Sequence, residues 1–167
     1  MSYLFYSGLC ILLFLSACGK AADHDILATQ EIVRAMPKGG EVVDEKRGKE
    51  LWLAVGAMSG INTHPANGVA QAHYFEDGTY LHTMQLNIEL PTDGFFYEGW
   101  LIAENKKPVS IGHLRSIVGD VRHQLEFESD QDLREYTGVL VTLESDDGNP
   151  APAEHVAEGK MTMRERL

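Results

Sequence analysis

An all-β fold, a two-sheet antiparallel sandwich of the immunoglobulin-like kind with about eight strands, is what the sequence predicts for residues 50–167. Three observations predict it. Short runs of β-branched, aromatic and aliphatic residues follow one another from Leu51 onward. Turn chemistry separates them at fairly even spacing, at Asn67-Gly68, Asp77-Gly78, Asp93-Gly94, Gly119-Asp120 and Asp147-Gly148-Asn149-Pro150. No long helical period interrupts them.

The chain begins with a segment that has to be subtracted from that fold. Leu4 to Ala17 is an apolar run of 14 residues, short of the roughly 20 that a membrane-spanning helix needs. It ends in Leu15-Ser16-Ala17-Cys18-Gly19, small residues before a cysteine, as a cleaved export signal does. The stretch resembles the lipobox of bacterial lipoproteins, which implies cleavage before Cys18 and diacylglycerol on its sulfur. It departs from most export signals in having no Lys or Arg ahead of the apolar run. Residues 1–17 are thus expected to be a signal peptide, and residues 18–49 the lipidated cysteine and a polar tether. Gly19 rather than Asp after the cysteine favours the outer membrane by the sorting rule of proteobacteria-like envelopes. Two or three acyl chains hold a protein at a bilayer far better than one, since each buried methylene contributes about 0.8 kcal/mol.

Removal of Cys10 with the signal and lipidation of Cys18 would leave the mature chain without a thiol or a disulfide. Thiol catalysis and cysteine-ligated zinc are then excluded, and core packing has to carry the fold. Every Lys, Arg, Asp and Glu lies after Cys18, so the net charge of −11 belongs to the mature part. Such a surface repels phosphate backbones, and nucleic acid is not expected as a partner. Within the tether, Ile26, Leu27, Ile32, Val33 and Met36 suit a helix of two or three turns.

The predicted strands are 51–58, 68–76, 79–90, 95–103, 109–115, 122–128, 136–144 and 155–163. In the third, Tyr80, His82, Met84, Leu86, Ile88 and Leu90 share one face, opposite Thr83, Gln85, Asn87 and Glu89. A period of two means one buried face. The sixth alternates likewise, His123, Leu125 and Phe127 against Arg122, Gln124, Glu126 and Glu128. Phe95–Ala103 and Val139–Leu143 are apolar on both faces and so read as central strands.

Chemistry-bearing residues are sparse. His82, His123 and His155 fall on predicted inward faces, with Met84, Met161 and Met163. A His/Met set in an exported protein suits copper, which makes His82, Met84, His123 and His155 an alternative metal set. No tight ligand pair supports it beyond His82 and Met84, and inward-facing His and Met serve packing equally well. Ser145-Asp146-Asp147-Gly148-Asn149 lacks the spacing of a calcium loop and reads as a polar hairpin tip. No G-x-S-x-G elbow is present. Glu98 and Glu144, the carboxylates set among apolar strand residues, suit structural hydrogen bonding as well as acid chemistry. Neither an enzyme nor a cofactor is expected.

The stretch Asp93-Gly94-Phe95 to Leu114, followed by Tyr136 to Met161, resembles the extracytoplasmic C-terminal domain of the anti-sigma-K factor (RskA) family. Tyr97, Trp100 and Leu101 match its Tyr-x-x-Trp-Leu strand, and Pro108, Ser110 and Gly112 its Pro-x-Ser-x-Gly. Val141, Thr142 and Glu144, then Gly148, Pro150 and Pro152, match a late Val-Thr-Leu-Glu, Gly, Pro, Pro run. The resemblance covers about Leu51 to Met163 and makes the matched residues scaffold: Tyr97 and Trp100 core anchors, Pro108 and Gly112 the shape of the strand exit, Glu144 the closure of the last hairpin. It implies an extracytoplasmic role without the family's cytoplasmic sigma-binding half, in whose place stand a lipobox and a tether. The expected function is a non-enzymatic, lipid-anchored binding or sensing module, facing an extracytoplasmic protein or small ligand; the alternative is a periplasmic copper-binding lipoprotein.

Overall fold

The structure, a computed structural model, describes residues 41–147 and 151–164, all within one compact unit, Pro37–Leu167. The expected signal peptide, Cys10, Cys18, the tether helix, Gly148 and Pro150 lie outside the described residues. Ten strands follow in order: β1 (Val43–Asp44), β2 (Gly48–Gly60), β3 (Asn67–Phe75), β4 (Tyr80–Asn87), β5 (Phe95–Ile102), β6 (Val109–Ser116), β7 (Arg122–Ser129), β8 (Gly138–Ser145), β9 (Glu154–Lys160) and β10 (Thr162–Met163). All their pairings are antiparallel.

The all-β expectation holds, but the two-sheet sandwich does not: the sheet closes into an eight-stranded barrel. Two walls, β2-β3-β4-β7 and β6-β5-β8-β9, are the sheets a sandwich would have. They are joined at both edges. Arg115 and Ser116 of β6 pair with Gln124 and His123 of β7. Met58, Ser59 and Gly60 of β2 pair with Gly159, Glu158 and Ala157 of β9. Glycines allow the second seam. A Cβ on Gly159 would stand 2.5 Å from the Ala57 carbonyl oxygen, and one on Gly56 2.5 Å from that of Lys160, so any side chain there would push the strands apart. Closure removes the free edges that a sandwich must protect.

Small residues of β3 sit beside large ones of β4 on the inner face. Ala70 pairs with Met84 and Ala72 with His82, while Met84 and His82 meet Leu125 and Phe127 on their other side. Gly99 of β5 lets the far wall in, since a Cβ there would lie 3.0 Å from Leu125 Cδ1 and 3.1 Å from Ile111 Cγ1. Opposite it, at a register shift between β5 and β6, Gly112 holds φ +100, a left-handed conformation that side chains resist.

The chain enters at the Gly48 end of β2, beside Phe75 and Tyr80, called the near end here. Residues N-terminal to the predicted start of the domain fold onto the barrel there: Val43 and Asp44 pair with Lys49 and Gly48. Arg47 stacks over the Phe75 ring and bonds Asp44 and Glu128, the latter at 2.5 Å.

Candidate functional site

The residues behind the resemblance cluster on β5, β6 and β8, on both sides of one wall. Side chains alternate along a strand, so Tyr97 and Leu101 enter the core while Trp100 turns to the outer face. Trp100 is therefore buried, but outside the main core cluster, and its indole N–H donates to Thr142 Oγ at 2.8 Å. Tyr97 donates its hydroxyl to the Glu89 carbonyl at 3.0 Å, and burial raises its pKa. Glu98 accepts the Ser110 hydroxyl, and Glu144 accepts the Ala153 N–H at 2.8 Å, drawing the β8–β9 connection toward β8. Val141 is wholly buried in the core; Pro108 is exposed and Pro152 half-buried. These bonds hold the wall.

On the outer side of the same wall, β2, β9 and β8 frame an open groove of about 1060 Å³. Leu140, the cross-strand partner of Trp100, lines it together with Ala57, Ser59, Gly138 and Gly159. Its polar lining comes from Glu104, Glu135, His155, Glu158 and Lys160.

The alternative metal set is not assembled. His82 and Met84 lie inside β4, but His155 is exposed on β9. His123 pairs with Leu86, four residues along the ladder from His82, a separation of about 13 Å at some 3.3 Å per residue. No group of three or more His, Cys, Asp and Glu side chains able to hold a metal occurs among the described residues. His123 instead bonds the Val121 carbonyl at 3.1 Å and meets the Tyr97 ring edge-on. Of the acidic tip, Ser145 donates to Asp147 at 2.9 Å, while Gly148 and Asn149 lie outside the described residues.

One polar pair stands out inside the barrel. His82 is fully buried and neither ring nitrogen has a hydrogen-bond partner; the Tyr80 hydroxyl, two residues earlier on the same face, has none either. Burial, reinforced by His73, pushes His82 down to about 4, and burial, aided by Asp132, raises Tyr80. Sequence alternation points both side chains inward, but their lack of partners follows from what stands opposite. Two further features escape the sequence reading. Arg47 belongs to a mixed-charge run, and its link to Glu128 needs the tertiary fold; Ile117-Val118 falls between predicted strands, where two aliphatics before a Gly-Asp turn were the available signal.

Residues 16–160 match the family described as anti-sigma-K factor rskA, C-terminal. The match reaches further toward the N-terminus than the motifs in β5–β8 do. No curated protein and no solved structure matches the chain.

Proposed function

The chain belongs to the family of the C-terminal domain of anti-sigma-K factor RskA, and on that premise we propose that it is a non-enzymatic, lipid-anchored binding or sensing module on the extracytoplasmic side of a bacterial envelope. Domains of this family are typically extracytoplasmic and membrane-associated. The observation that carries the reading is the use made of the matched residues: Tyr97, Trp100, Thr142 and Glu144 spend their polar atoms on the wall itself and leave a groove of small residues beside it. A wall built that way presents a surface and performs no bond chemistry. Attachment would come through Cys18, N-terminal to the strands that begin at Val43.

Mass spectrometry of the N-terminal peptide from membrane-extracted protein tests the anchor. The expected peptide begins at Cys18 and carries diacylglycerol, and Cys18→Ser abolishes it. A peptide with residues 1–17 still attached and a free thiol would contradict the reading.

A further inference from the structure

Eight large hydrophobic side chains are exposed among the described residues, and five of them gather at one end of the barrel: Leu90 at 52%, Phe95 at 45%, Ile117 at 75%, Val118 at 64% and Val121 at 49%. Scattered apolar side chains need no explanation, but a cluster does. The antiparallel ladder places these five together. Asn87 pairs with Arg122, so the 88–94 connection and the 117–121 turn leave from the same end, and the Ile88 N–H donates to the Val121 carbonyl at 2.9 Å. Phe95 starts β5 at that end, opposite Ser145.

The turn is held in one shape. Ser116 Oγ donates to the Asp120 carbonyl at 2.7 Å and accepts the Asp120 N–H at 2.8 Å. Asp120 grips the Arg122 guanidinium at 2.9 and 2.6 Å, and Gly119 takes φ +70. A turn fixed before binding loses little conformational entropy when it docks. Its outward side chains add nothing to the core, so their apolar character calls for a surface outside this domain.

We propose that this far end is a docking surface for a protein whose binding cleft is apolar with a basic rim. Two observations select that occupant. The chain enters the barrel at the opposite end, so the apolar tip is turned away from the point where a tether to a membrane would attach. With Asp120 and Arg122 paired to each other, the exposed Glu89, Asp93 and Asp146 outnumber Arg115 around the patch, which a cationic rim complements and an anionic bilayer opposes. The proposal deepens the binding-module reading and rests on it, but not on the lipid anchor.

The test places a photo-crosslinking amino acid at Ile117 of the full chain in its own cells, with Leu51, 55% exposed near the chain's entry, as control. Ile117 should give an adduct with one protein, identified by mass spectrometry and absent at Leu51. That protein, purified, should bind the detergent-solubilised full chain more weakly as salt rises. Ile117→Ser with Val118→Ser should weaken binding by about tenfold or more, the loss expected of central apolar contacts, with the melting temperature unchanged. Should that double variant melt early, Leu90→Ser serves in its place. An adduct with lipid only, with a second copy only, or none at all overturns the proposal, as does an affinity indifferent to the serine variants. Loss of lipid on Cys18 leaves this binding intact, so the two ideas fail separately.

Discussion

Protonating His82 should cost the barrel much of its stability. Its ring is fully buried, with both nitrogens unpartnered between Ala72 and Phe127, and burial holds its pKa at about 4 against an ordinary 6.5. The unfolded chain therefore binds a proton between pH 6.5 and 4 that the folded chain refuses. Stability rises with pH wherever the unfolded state holds more protons, so the contribution is full above about pH 6.5 and is lost progressively as pH falls to about 4. The shift of 6.5 to about 4, at 1.36 kcal/mol per unit, amounts to about 3 kcal/mol. Urea unfolding followed by tryptophan fluorescence at pH 7.5 and at pH 4 measures it, on the natural protein and on His82→Leu. Asp44, Asp120, Glu128 and Asp132, whose pKa values their hydrogen-bond partners lower, also lose stabilisation in acid, but equally in both proteins. The natural protein should lose about 3 kcal/mol more than the leucine variant. Equal losses would mean that the imidazole finds a partner or solvent, and the argument from burial would be wrong.

Trp100→Ala should destabilise the domain by about 3–5 kcal/mol in thermal or urea melts, because a buried indole is removed from a closed wall; a loss below about 1 kcal/mol would mean that the ring is exposed. Thr142→Val should cost about 1–3 kcal/mol by leaving the Trp100 N–H unpaired, and Thr142→Ser should restore most of it. Gly159→Val should open the β2–β9 seam, read as lost hydrogen-exchange protection of Met58 to Gly60 ahead of β4. Arg47→Ala should move the global melt by no more than about 1 kcal/mol, while the Glu50 amide, which donates to Val42, exchanges faster.

The strands were legible because each carries its own periodicity. Alternation from Tyr80 to Leu86 and from His123 to Phe127 marks inward faces directly, and the apolar runs at Phe95 and Val139 announce strands buried on two sides. What alternation cannot carry is which strand lies beside which. The closing contacts of the barrel depend on glycines at positions 56, 99 and 159, whose meaning is set by a carbonyl or side chain far away in sequence. Trp100 is different: its apolar neighbours mark it as buried, and the odd three-residue step from Tyr97 already puts it on the opposite face of β5. The metal set is not assembled for a related reason: register holds His82 and His123 four residues apart on neighbouring strands and His155 is exposed on β9, although their residue types alone allowed a common site.

Protease protection tests the central claim, an anchored module facing outward, most directly. Intact cells with permeabilised outer membranes would be treated with proteinase K and fractionated, alongside cells making Cys18→Ser. The account predicts that the natural protein sediments with membranes and is cut from outside while a cytoplasmic marker survives, and that the serine variant is unprocessed or found in the soluble fraction. Natural protein that stays intact until the inner membrane is broken would contradict it.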